Sequence, residues 1–137
     1  MDDWRPKNLI LILAREFASK LAVPMLIVDD TDRVVFFNEA AEELLGATFA
    51  EAAQLDYDGW LDLMGAEDLD GKPLGIREWP AALAIQAGRA VHTSMVLTGH
   101  RRRRRTIDST AFPLLGSAGP MGAVALFWER RNGNGTR

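Results

Sequence analysis

The spacing of apolar residues changes several times along the chain, and each change marks an element. Leu9, Ile10, Leu13, Phe17 and Leu21 recur mainly at three- and four-residue steps, which predicts a helix over Pro6 to Ala22 with an apolar stripe. Leu11, Ile12 and Ala14 widen that stripe well beyond a third of the circumference. A helix this apolar must be covered on more than one side, by its own domain, by a second subunit, or by both. Pro24 then breaks the pattern. Met25 to Asp29 reads as a short strand and Arg33 to Phe37 as a second, rich in β-branched and aromatic residues. Asp29-Asp30-Thr31-Asp32 between them is turn chemistry, so the pair forms a hairpin.

Asn38 suits a helix N-cap, because its side-chain oxygen can accept from the free amides of a first turn. Glu39 to Leu45 then form a short helix, stopped by Gly46 in the left-handed conformation. The pattern from Ala47 to Leu74 is weak. Trp60, Leu61, Leu63 and Met64 suggest one more short helix, and Asp70-Gly71 with Pro73 a loop. Arg77 to Ala87 reads as a helix, with Pro80 near its start and Gly88 at its end. The last third alternates as strands over Ala90–Thr98, Arg103–Phe112 and Met121–Trp128. Gly99-His100 and Leu115 to Pro120 connect them. The expected class is α+β: a five-stranded antiparallel sheet with short helices on one face. Its expected divisions are an N-terminal amphipathic helix (1–21), a domain (22–131) and a flexible tail (132–137).

Composition narrows the chemistry. At 137 residues the chain fits one domain, and 47% hydrophobic with 26% charged residues is a globular balance. There is no cysteine, which removes disulfides, thiolate metal sites and cysteine nucleophiles. No segment reaches the ~18 apolar residues of a membrane span. The acidic Met1-Asp2-Asp3 is unlike the basic start of a signal peptide, so the expected compartment is the cytoplasm. A net charge of −3 gives no general attraction to nucleic acid or anionic lipid.

Three stretches resemble the PAS family. Leu26 to Gly46 is similar to the family's opening, with Asp29, Asn38 and Gly46 on marker positions and Asp32 where a turn glycine is usual. Asp70-Gly-Lys-Pro-Leu, Glu78-Trp-Pro, Ala84, Gly88 and Val91 resemble the middle of bacterial PAS sensors attached to histidine kinases and phosphatases. Phe112-Pro-Leu and Gly122 to Glu129 resemble the last two strands. Glu129 stands on the Asp that opens the family's Asp-(Ile/Val)-Thr exit signal, and Arg130-Arg131 replaces the rest. The resemblance spans about Ala22 to Arg131. It implies a PAS fold with an N-terminal capping helix, and a sensor or interaction module without catalysis of its own. Some members bind haem, flavin or an organic acid; others only dimerise.

Within that resemblance, Leu45, Trp60, Leu63, Trp79, Leu83, Met95, Leu97, Phe112 and Phe127 lie on elements that surround a PAS cavity. They either fill it or line a site for a small apolar ligand. Leu9, Ile10, Leu13, Phe17 and Leu21 are the candidate homodimer interface, with a signalling protein in trans as the further partner. Flavin photochemistry in the family needs an adduct-forming cysteine, and Phe127 stands where flavin binders often place glutamine. Haem needs an axial ligand, usually His. The helix from Arg77 to Ala87 has none; His92 is expected partly buried in a strand and His100 solvated in a turn. Both cofactors are therefore disfavoured, as is a haem or flavin redox sensor.

Glu67 to Gly71 resembles part of a calcium loop, but aligned on Gly71 it would need Ala66 and Arg77 as ligands. Gly-x-Ser-x-Gly, Walker, Gly-x-Gly-x-x-Gly and His-Glu-x-x-His motifs are missing. The run Arg101 to Arg105 is expected to be a solvated edge turn. The alternative is an anion- or nucleic-acid-binding adaptor, although no aromatic residue interleaves to stack on bases.

Overall fold

The computed structural model of the chain describes residues 6–99 and 103–130. The expected tail (132–137), together with His100, Arg101, Arg102 and Arg131, lies outside them. Helix α1 runs Pro6–Ala18, four residues shorter than its apolar pattern predicts. Strands β1 (Met25–Asp29) and β2 (Val34–Phe37) follow. Next come helices α2 (Glu39–Leu45), α3 (Phe49–Ala52), α4 (Tyr57–Met64) and α5 (Pro80–Ala87). Strands β3 (Val91–Leu97), β4 (Arg105–Gly116) and β5 (Gly119–Glu129) close the chain. The sheet is antiparallel with order β2-β1-β5-β4-β3, which brings the first strands beside the last.

Three departures from the sequence pattern have clear causes. The predicted helix over Arg77–Ala87 is a 3-10 turn at Ile76–Glu78 followed by α5, because Trp79 between them is extended. The residue before a proline is pushed out of the helical region, and Pro80 does this to Trp79. Helix α3 lacks any apolar period; it forms on a capping box in which Thr48 and Glu51 satisfy each other's amides. Strand β4 continues past Phe112 to Gly116, so only Ser117 and Ala118 separate it from β5. Pro113 is tolerated there by position. Arg130 N donates to the carbonyl of Thr106, so the even-numbered residues at this end of β4 bond to β5 and the odd-numbered ones face β3. Pairing with β3 stops at Ala111, so the missing amide of Pro113 falls on an open edge.

The two faces of the sheet carry separate cores. Leu26, Val28, Phe37, Ile107, Ala111, Ala125 and Phe127 join α2–α5 in one cluster. Met25, Ile27, Val124 and Leu126 join Leu11, Ala14, Ala18 and Leu21 in the other. A bulge sorts β2 between them. Ile27 faces Phe36 and Val28 faces Val34, which leaves Val35 as an extra residue. Val34 and Phe37 therefore point to the helical face while Val35 and Phe36 point toward α1.

Candidate functional site

Seven of the nine predicted pocket residues meet in the helical-face core. Leu45, Trp60, Leu63, Trp79, Met95, Leu97 and Phe127 are all buried within one cluster. Leu83 is half-buried on α5 and outside it. Phe112 is placed on the opposite face, in the cluster with α1. Alternation along β4 dictates this, since Ile107 and Ala111 point to the helices and the even-numbered Phe112 cannot. The indole N–H of Trp79, 97% buried by its 3% exposure, has no hydrogen-bond partner among the described residues. A separate cleft of about 400 Å³ opens between α2, α3 and α4, walled by Ala47, Ala52, Leu55 and Leu63.

The α1 residues divide between two environments. Leu21 packs on the outer core with Leu11, Ala14 and Ala18, and Ile10 is half-buried. Leu13 and Phe17 face solvent at 59% and 60% exposure, with Ile12 at 57% beside them. The side chain of Leu9 lies outside the described ones. The predicted stripe thus spans both sides of the helix: the sheet-facing side is the row Leu11, Ala14, Ala18. Arg15 lies over the Phe36 ring at 4.9 Å.

Asn38 joins the two halves. It is buried, and its Oδ1 accepts from Ala41 N and Met25 N, both at 3.0 Å. Its Nδ2 donates to the carbonyls of Ala18 at 3.0 Å and Val23 at 2.9 Å, with Leu21 at 3.4 Å. One side chain thus caps α2, starts β1 and holds the segment that leaves α1. The sequence marks Asn38 only as a cap; the link to α1 needs the fold.

A polar cluster occupies the exposed end of the outer face, next to the half-exposed Trp128. Arg130 donates to Asp108 at 2.7 Å and to Ser94 Oγ at 2.6 Å, and Ser94 Oγ donates to Asp108 at 2.7 Å. The Arg130 and Ser94 hydrogen bonds hold the Asp108 carboxyl below its ordinary range, and Asp108 in turn raises Arg130. His92 is exposed rather than partly buried, and its Nδ1 shares a 2.7 Å hydrogen bond with Thr110 Oγ1. It points away from the helical-face core.

The described part of the arginine run is largely committed within the chain. Arg104 pairs with Glu67 at 2.6 Å. Arg105, its side chain only 12% exposed, donates to the carbonyl of Leu44 at 2.9 Å and lies 3.9 Å from Glu129. The run is thus more than the solvated edge turn the sequence suggests. The calcium-like loop is an Asx turn in which Asp68 accepts from Asp70 N and Lys72 N. Among the described residues no cluster of three or more His, Asp or Glu could hold a metal ion. No helix among them is long and apolar enough to cross a membrane.

Residues 15–80 match the PAS domain family. The fold is similar to the PAS domain of Bordetella pertussis BvgS, at TM-score 0.59 and 16% identity, covering 89% of this chain and 86% of that one. It is similar to the PAS domain of nitrogen regulation protein NR(II) from Vibrio parahaemolyticus, at TM-score 0.58 and 16% identity, over 86% and 98% of the two chains. An RNA-binding light-oxygen-voltage receptor aligns at TM-score 0.63 and 21% identity, over 94% of this chain and 35% of that one. No curated protein matches the sequence at a significant level.

Proposed function

We propose that this chain, a PAS domain by its fold and by its family match over residues 15–80, is a non-catalytic sensory module that works as a homodimer through the outward side of α1. The observation that carries the reading is that α1 is apolar on two sides. Leu11, Ala14 and Ala18 seat it on its own sheet, while Ile12, Leu13 and Phe17 each keep more than half of their surface in water. Covering such side chains is worth roughly 1 kcal/mol or more apiece, and a twofold interface covers each of them twice.

The input is a small molecule or partner that alters the helical-face core. The buried, unpaired N–H of Trp79 supports an occupant there that carries a hydrogen-bond acceptor. The output is a shift between two packings of α1 on the sheet, with Asn38 as the link. A partner protein in trans reads that shift.

Cysteine cross-linking tests the interface, because the chain has no cysteine of its own. Leu13→Cys is expected to form a covalent dimer under mild oxidation, and Lys72→Cys, in the loop ahead of α5, is not. Equal cross-linking of the two variants would contradict the proposal.

A further inference from the structure

The charge of this chain is strongly segregated. Of its 19 carboxylates, ten fall between Arg33 and Lys72, a stretch with no Lys, Arg or His; the other nine share the remaining sequence with all 16 cations. That acidic stretch builds α2, α3 and α4 on the helical face, the side of the sheet opposite α1.

The face also carries a groove. The cleft of about 400 Å³ against Ala52, Leu55 and Leu63 shares Gly46, Ala47 and Glu51 with a second hollow of about 270 Å³ lined by Glu39, Glu42 and Glu43. One end is therefore apolar and the other is ringed by carboxylates. Leu55 at the apolar end is 38% exposed. Glu42 and Glu51 are partly used within the chain, accepting from Phe49 N and Thr48 N. Glu39 and Glu43 are exposed and one turn apart on the same side of α2, where like charges repel.

We propose that this groove docks a basic amphipathic segment of a partner protein. An apolar side chain of that segment enters the cleft at Leu55 and Leu63, and its Lys or Arg residues run over Glu39, Glu43 and Glu51. Charge complementarity decides the occupant. A cationic segment relieves the Glu39–Glu43 repulsion and fills the apolar end at once, whereas an acidic or phosphorylated segment is repelled at the carboxylate-ringed end. The adjoining apolar and acidic ends favour a peptide segment over a small amine, which would use one end only. The site lies across the sheet from α1, so docking and α1-mediated pairing are separable.

The test is a titration of the ¹⁵N-labelled full chain with a short amphipathic Leu/Lys peptide, its Leu/Glu counterpart and butylamine, followed by amide shifts. The Leu/Lys peptide is expected to shift amides over residues 39–63 and to weaken as salt is raised. Glu39→Gln/Glu43→Gln is expected to weaken it about fivefold with thermal unfolding nearly unchanged. Leu55→Ser, which keeps every charge, is expected to weaken it with little change in salt dependence. Shifts centred on α1, equal binding of the Leu/Glu peptide, or full affinity in the charge variant would each overturn the proposal. Butylamine binding as tightly as the peptide would overturn the choice of a protein segment as occupant.

Discussion

The carboxamide nitrogen of Asn38 donates to the carbonyl of Ala18 at 3.0 Å across 20 residues of chain. This bond ties the C-terminal end of α1, on one face of the sheet, to the N-terminus of α2, on the other. The same carboxamide reaches Val23, Met25 and Ala41, so four segments depend on one buried side chain. Any movement of α1 relative to the core must break or carry this group.

Replacing Asn38 with Ala leaves buried backbone donors and acceptors unpaired. We expect Asn38→Ala to cost about 3 kcal/mol in urea unfolding. Asn38→Asp, which can still accept from Ala41 and Met25 but turns a carboxylate oxygen on the carbonyls of Ala18 and Val23, should cost at least as much and loosen α1. Faster hydrogen exchange confined to residues 14–23 in Asn38→Asp is the expected signature; unchanged exchange there would show that the donor side of the carboxamide is idle.

Asp32 stands in the β1–β2 turn with φ of 65°, the left-handed region that disfavours residues with a Cβ. Asp29 shapes this turn by accepting from Thr31 N and Arg33 N. Asp32→Gly removes the conformational cost but frees the unfolded chain, and we expect a net gain of about 0.5 kcal/mol. Asp32→Val should be destabilising. Thermal melts of the two variants check the ordering, and a stabilised Val variant would contradict the assignment.

Gly122 lies where β5 passes β1 closely. A Cβ built there would meet the Val28 carbonyl oxygen at 2.3 Å, and Leu11 of α1 at 3.3 Å. Gly122→Ala is expected to cost about 2–3 kcal/mol, because backbone must move to admit the methyl group. Denaturant titration reads this directly, and a change below the measurement error would mean the strand relaxes freely.

Asp108 is held below its ordinary value of 3.8, first by its hydrogen bond from Arg130 and then by that from Ser94. A carboxyl depressed in the folded state stabilises it at pH values above the unfolded value and loses that contribution as pH falls through the folded one. The difference in urea midpoint between the natural chain and Asp108→Asn should therefore be largest near neutrality and decline as the pH falls below the ordinary carboxyl value of 3.8. It should be small throughout and shrink in high salt, because the pair is partly exposed. A difference that grows on acidification would contradict the assignment.

Much of this architecture is legible in the sequence, because local rules and the final fold agree at the relevant residues. Asn38, Gly46 and Gly88 sit at helix ends where their conformations are required, and β1 coincides with its apolar run. Helix α3 carries no apolar period, and its one sequence signal is the Thr48-x-x-Glu51 capping-box spacing, which the weak pattern around it hides. Strand parity is not legible either. Phe112 looks like any large strand residue until pairing with β3 and β5 fixes which way it points. The commitments of Arg104 and Arg105 are also hidden, because Glu67 and Leu44 lie far away along the chain. The widened apolar stripe of α1 does show that the helix has two sides to cover, but only the fold shows that Leu11, Ala14 and Ala18 take the inner one.

Pairing through the outward side of α1 is tested most directly by the mass of the whole chain in solution. Light scattering on the natural sequence should give twice the 15.1 kDa of one chain, and Leu13→Glu/Phe17→Glu should give 15.1 kDa with the fold retained. A natural chain that stays at 15.1 kDa, or a variant that still pairs, would contradict it.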